Sequence, residues 1–255
     1  MANSPSGESL TSRIVRIISA FDEDHASMPV AELARRASLP LSTTHRLVAD
    51  LMGHGFLQKE SDGGVRLGLR LWELASRTSP ALGLKQVAMP FMEDIQAVVR
   101  QHTQLSVLRG DEVLFIERLS SHGSVLNHAK VAGRLPVHVS SSGMAMMAHS
   151  PRHVQEAYLQ RRSPAAAEEQ ALRTAWTRIR LDGSASLPGA VVPDTTGIAV
   201  PVFGPGGTAM AAIGVVVPTG AENIPATVPA LMTAARGIAR GLGVRAEAAG
   251  PYYVR

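Results

Sequence analysis

Between Leu39 and Glu60 the chain reads LPLSTTHRLVADLMGHGFLQKE, which places Ser42, Thr43, Thr44, His45 and Arg46 at the head of an apolar stripe. Hydroxyls, an imidazole and a guanidinium are the groups that hydrogen-bond base edges and phosphates. A serine at a helix start also satisfies orphan backbone donors, so Ser42 is expected as the N-cap whatever else it does. Two readings follow: a surface helix with a good cap, or a helix whose first turn reads DNA. On the second, Ser42, Thr43, Thr44 and His45 face the major groove, and Arg36, Arg46, Lys59 and Arg66 meet phosphates or base edges.

A second concentration of polar groups lies in LPVHVSSSG, Leu135 to Gly143. A turn carrying Ser140, Ser141 and Ser142 into a helix offers free backbone N–H groups and a positive dipole end, which suits a carboxylate. A serine nucleophile is not expected, because the Gly-x-Ser-x-Gly elbow is absent and His128, His138, His149 and His153 form no ordered triad. His122, His128 and His138 are irregularly spaced for zinc, and no thiolate accompanies them. GPGG lacks the strand-loop-helix context of a phosphate cradle. No catalytic residue, metal or cofactor is therefore expected. Met144, Met146 and Met147 are read as core, with an adaptable pocket lining as the alternative.

These groups need a scaffold, and 255 residues with 45% hydrophobic content suffice for two modest domains. The absence of cysteine excludes disulfides and a cysteine nucleophile and fits a reducing compartment. MANSPSGESL lacks the apolar core of a signal peptide, and the run around MAAIGVVVP is too short to cross a bilayer, so a cytoplasmic protein with no membrane partner is expected. The net charge of +4 does not make the nucleic-acid case, since Met1 to Pro80 hold nine Lys or Arg against nine Asp or Glu, with Asp22, Glu23 and Asp24 together at a helix end.

Leu10, Ile14, Ile17, Ile18 and Phe21 recur at helical spacing and predict a first helix. Pro29 opens a second, with Val30, Leu33, Ala34 and Ala37 on one face. The third, about Ser42 to Met52, buries Leu47, Val48 and Leu51 and stops at Gly53 or Gly55. FLQKESDGGVRLGL then reads as two short strands around a turn, completing a winged helix-turn-helix over residues 1–68. A helical linker is expected over 69–84. Residues 85–248 turn to strands at TQLSVLRG, DEVLFIERLS and SVLNHAKVAG, helices near Ser142 to His149, Pro151 to Gln160 and Ala165 to Leu181, two strands around GPGG, and a last helix from about Ile224 to Leu242. Helices with an antiparallel sheet make this domain α+β.

LPLSTTHRLVADLMGHGFL, VRLGLRLWELA, GDEVLFIER, VAGRLPVHVSSSGMAMMA and GIAVPVFGPGG, in this order, resemble the IclR family of bacterial transcriptional regulators over nearly the whole chain. The resemblance implies a DNA-binding N-terminal domain, a linker that dimerises, and a C-terminal GAF-like domain that binds a small effector. It also implies homodimers, often paired as tetramers, on near-palindromic promoter DNA. The family's pocket positions fall on Ser124, Asn127, Leu135, Ser141, Ser142, Leu187, Thr195, Gly197, Gly214 and Val216, beside Ser140 of the serine turn.

Many relatives carry an acidic residue near the Leu187 position, a cysteine or small polar residue at that of Gly197, serines at those of Gly214 and Val216, and lysine at that of Met144. This chain has no Asp or Glu between Asp182 and Asp194. An effector less polar than glyoxylate or pyruvate is therefore expected: an aromatic or aliphatic acid, ester or amide, in a regulator of a catabolic operon. The alternative is a sensor or interaction module whose winged domain contacts protein; a polyanion-competed DNA assay separates the two.

Overall fold

The computed structural model describes residues 8–22 and 24–243; Glu23 of the acidic cluster and the last positions of the expected effector domain, 244–248, lie outside them. The chain forms two compact units that divide between Ser79 and Pro80, within the stretch expected as linker.

The first unit holds α1 (Leu10–Ser19), α2 (Val30–Arg36), α3 (Leu41–Gly53) and α4 (Leu69–Thr78). Its sheet has strands β1 (Ser27–Met28), β2 (Leu57–Lys59) and β3 (Val65–Leu67) in the order β1-β3-β2, all antiparallel. Ile17, Leu33, Ala37, Leu47, Val48 and Leu51 close the core with Met28, Leu57 and Val65. The hairpin is as expected, and β1 adds an outer strand of two residues, too short for a periodicity signal. One correction concerns the start of α3. Its N-cap is Pro40, with no side-chain capping bond, and Ser42 lies inside the first turn. Proline's fixed φ and missing N–H suit it to a helix entry, so the serine's capping propensity is not used. α4 buries none of its residues within the unit and leaves Leu69 and Trp72 each 65% exposed.

The second unit is built on a six-stranded antiparallel sheet of β4 (His102–Arg109), β5 (Glu112–Ser120), β6 (Arg134–Pro136), β7 (Ala185–Pro188), β8 (Thr195–Phe203) and β9 (Ala209–Pro218), in the order β6-β5-β4-β9-β8-β7. One face packs on α5 (Pro80–Val99) and α9 (Ile224–Gly243) through Leu84, Met92, Leu105, Ile198, Ile213, Leu231 and Ile238. The other face receives α6 (Ser141–Ala148), backed by α7 (Arg152–Arg162) and α8 (Ala166–Asp182) around Tyr158, Leu172, Trp176 and Ile179. All three of Met144, Met146 and Met147 are buried in this layer.

SVLNHAKVAG, expected as a strand, is irregular. Asn127 Oδ1 accepts from the Ala129 N–H at 2.9 Å, and Ala132 takes a left-handed φ of 62°, so its alternation of apolar and polar residues is broken by local side-chain bonding. Only Arg134–Pro136 pair with β5. Within β5 the register slips: Leu105 of β4 faces Glu117 and Ser106 faces Phe115, which leaves Ile116 as a bulge. The slip puts Glu117 on the α5 side, in an ion pair with Lys85, while Phe115 stays on the α6 side.

Candidate functional site

The first unit presents a polar helix face. The core side of α3 is Thr44, Leu47, Val48 and Leu51, at the spacing that puts residues on one helical stripe. Ser42, His45 and Arg46 lie on the opposite, exposed side with Thr43 half-buried beside them. Among the described residues no hydrogen bond or ion pair engages the side chains of Ser42, His45, Arg46 or Lys59. Arg66, next to Lys59 in the hairpin, is half-exposed and pairs with Glu60 at 3.0 Å.

Two expected contacts are corrected. Thr44 is completely buried, and its hydroxyl donates to the Pro40 carbonyl at 3.1 Å, so it braces the helix entry and cannot face a groove. Arg36 donates to the Ala20 carbonyl at 2.9 Å and to Asp22 at 2.5 Å, ties that join α2 to the end of α1 and leave it little freedom to meet a phosphate.

The second unit contains a narrow cavity of about 40 Å³ between the sheet and the start of α6. Gln104 of β4, Phe115 of β5, Leu135 of β6, Leu187 of β7, Thr195 and Gly197 of β8 and Val216 of β9 form its floor, and Ser140 and Ser141 its end wall. Residues 126–129 and 190–192 cover it. Asn127, Leu135, Ser140, Ser141, Leu187, Thr195, Gly197 and Val216 thus come together as expected. Three expected residues do not line it. Ser124 donates its hydroxyl to the Ser121 carbonyl at 2.7 Å. Ser142 is buried behind the wall. Gly214 sits in the sheet, where a Cβ would come within 2.6 Å of the Ile198 carbonyl oxygen. Gln104, Phe115 and Val139 were not expected; Gln104 alternates on one strand face with Ser106, but period two does not tell which face holds a cavity.

The serine turn is held by close packing. Residues 137–139 form a single 3-10 turn, and Ser140 caps α6 by accepting from the Gly143 N–H. A Cβ on Gly143 would lie 2.6 Å from the Val137 carbonyl oxygen, so only glycine lets the turn rest on the helix. The amides of Ser141 and Ser142, in the first turn, have no intrahelical acceptor.

No Lys, Arg, Asp or Glu lines the cavity. Its polar groups are partly committed: Thr195 Oγ1 donates to the Val192 carbonyl at 3.0 Å, and Asn127 Oδ1 is held by Ala129. Gln104 Nε2 and Asn127 Nδ2 are buried and have no partner. Ser140, Ser141 and His128 complete the polar lining, and the rest of the wall is apolar. Such a site takes a ligand with an apolar body and one end rich in hydrogen-bond acceptors.

The covering loop is clipped to the sheet. Arg118 donates to the carbonyls of Ala129 at 2.6 Å and Asn127 at 3.3 Å. His102, 6% exposed, has Nε2 2.6 Å from the Val125 carbonyl, which can only accept, so Nε2 carries the proton and Nδ1 accepts from Ser120 at 2.9 Å. Burial, aided by the Arg118 charge, lowers the His102 pKa despite the Val125 bond. With the folded pKa below the unfolded value of about 6.5, this histidine's contribution is complete above that pH and is lost as pH falls toward the folded pKa. Thermal stability is expected to drop from about pH 6.5 downward, and His102→Gln to flatten that drop; equal slopes in both proteins, measured by melting across pH 5 to 8, would contradict it.

His138 contacts the Tyr158 hydroxyl at 3.3 Å and His128 is exposed at the cavity rim. Among the described residues no three His, Cys, Asp or Glu side chains group as metal ligands, and no helix is long and apolar enough to cross a membrane.

Residues 11–61 match the IclR helix-turn-helix domain, and residues 78–240 match the C-terminal domain described as bacterial transcriptional regulator IclR. An IclR homolog of Microbacterium hydrocarbonoxydans, crystallised with 4-hydroxybenzoate, is 43% identical with a TM-score of 0.86, over 92% of this chain and 100% of that one. The regulator BhcR of Paracoccus denitrificans is 26% identical over 238 residues, 88% of this chain and 84% of its own. The match to KipR of Bacillus subtilis, 26% identical, covers 52% of this chain and 53% of the relative, about half the length of each.

Proposed function

The chain belongs to the IclR family of bacterial transcriptional regulators, which are not enzymes, and from that premise we propose that it is a ligand-responsive, DNA-binding regulator of a catabolic operon whose effector is an aromatic monocarboxylic acid. The observation that carries the effector class is the uncharged, largely apolar cavity with orphan donors at one end. The similarity to a homolog crystallised with 4-hydroxybenzoate supports it.

Ser42, Thr43, His45 and Arg46 are the groove-facing set, with Lys59 and Arg66 of the hairpin on the flanking backbone. The protein acts in the cytoplasm as a homodimer or a pair of dimers on a near-palindromic site. The exposed Leu10, Val15, Leu69 and Trp72 supply apolar surface for pairing with a second copy. Effector binding alters the pairing of the two recognition helices only in so far as it favours one of two states.

The test is a footprint on the DNA upstream of the protein's own gene, with excess competitor, across a salt series and with and without 4-hydroxybenzoate. A protected near-palindrome that changes with the acid is the expected result; diffuse, competitor-sensitive binding would overturn it. Arg46→Ala is expected to weaken specific binding by about 1–3 kcal/mol, the value of one base-edge contact. Unchanged affinity would remove Arg46 from the interface.

A further inference from the structure

We infer that Gln104 is the residue by which the cavity distinguishes a carboxylate from the corresponding carboxamide. The inference rests on the reading of the cavity as the effector site. Gln104 lies in the middle of β4, pairs with Arg118 on one side and Gly214 on the other, and is 5% exposed. Its Nε2 has no partner. Buried amide donors are almost always satisfied, so an orphan lining a cavity marks the place of an absent acceptor.

A second orphan fixes the sign of the site. Asn127 Nδ2 is also buried without a partner, and its amide cannot be turned round without giving up the bond that Oδ1 accepts from Ala129. Asn127 is held in place through Arg118, which grips the carbonyls on either side of His128 and faces Gln104 directly across the β4 to β5 pair. One strand pair therefore positions both residues, and Asn127 alone has its amide orientation fixed by a bond. The hydroxyl of Ser141 stands above Gly197, where the distance from an added Cβ to Ser141 Oγ would be 2.9 Å. The polar end of the cavity is thus rich in donors and has no carboxylate in its lining.

A ligand carboxylate brings only acceptors, with about four lone-pair sites, and satisfies both amides. A carboxamide brings one acceptor oxygen in place of two, so with Asn127 Nδ2 fixed as a donor it satisfies both amides only if Gln104 turns its own carbonyl oxygen toward the ligand NH2, a rearrangement that a carboxylate does not require. A second carboxylate on the ligand would find no lysine or arginine in the lining, which restricts the site to monocarboxylates.

The experiment is calorimetric titration of the full chain with benzoate, 4-hydroxybenzoate and hexanoate, each against its carboxamide, for the wild type, Gln104→Glu and Gln104→Met. The wild type is expected to prefer at least one acid over its amide, and both variants to reduce that preference roughly tenfold or more, the loss of a hydrogen bond to a charged group. Gln104→Met covers the case in which a buried carboxylate disturbs the fold. A preference unchanged in the variants overturns the role of Gln104 while leaving the aromatic-acid reading intact. A Gln104-dependent preference among aliphatic acids alone supports the role and overturns the aromatic reading. A wild type that binds amides as well as acids, or binds no acid, overturns both.

Discussion

Gly197→Leu is expected to abolish the response to effector, with affinity falling about 100-fold or more, while binding to operator DNA is retained. Gly197 is a floor position of the cavity, paired with Leu187 on β7 and Val216 on β9, and a Cβ there would lie 2.9 Å from Ser141 Oγ at the cavity's end wall. A leucine extends from that Cβ into the volume a ligand needs, and overlap of packed groups costs about 1–3 kcal/mol or more. The strand tolerates the change because the Cβ meets a side-chain hydroxyl free to move, not backbone. Calorimetry with 4-hydroxybenzoate and a gel-shift titration on the same preparation separate the two activities. An undiminished effector isotherm would place the binding site elsewhere.

Trp176→Ala is expected to destabilise the second unit by about 3–5 kcal/mol, the usual cost of emptying a buried tryptophan site. Trp176 is 1% exposed, and its ring stands 6.2 Å from that of Tyr158, among Leu172, Ile179 and the methionines of α6. Its indole N–H has no partner, so the side chain contributes through packing alone. Because α6 carries the end wall of the cavity, effector binding should weaken in step with stability. Denaturant unfolding followed by circular dichroism checks this; the only other tryptophan, Trp72, belongs to the first unit. A loss below about 1 kcal/mol would mean that the α6 layer repacks around the gap.

Periodicity was enough for α1, α3, α8 and α9, where apolar residues repeat every three or four positions over ten residues or more. It also contains a signal against Thr44 as a groove residue: positions 44, 47, 48 and 51 share one stripe, and the last three are apolar. At Thr44 the helical spacing is a stronger guide than the hydroxyl chemistry, because its place on the core stripe buries it. Arg36 is a different case, since its partners, Ala20 and Asp22, are brought to it by packing of α1 on α2, which no local pattern encodes. In the cavity, Asn127, Leu135, Ser141, Leu187 and Gly197 are reachable from the family resemblance, although they are spread over three strands, one loop and the start of a helix. Gln104 is not reachable in that way. Its significance lies in a missing bond, and a missing bond exists only once every neighbour is in place.

The bulge at Ile116 governs charge as well as shape. Were Ile116 drawn into a regular ladder instead of bulging, strict alternation would carry Phe115 and Glu117 to the same side of the sheet and set a carboxylate against the cavity instead of against Lys85. Whether this cavity welcomes or repels an anion therefore depends on the bulge as much as on composition, because pairing Ile116 regularly would reverse the side that Glu117 takes with every residue type unchanged.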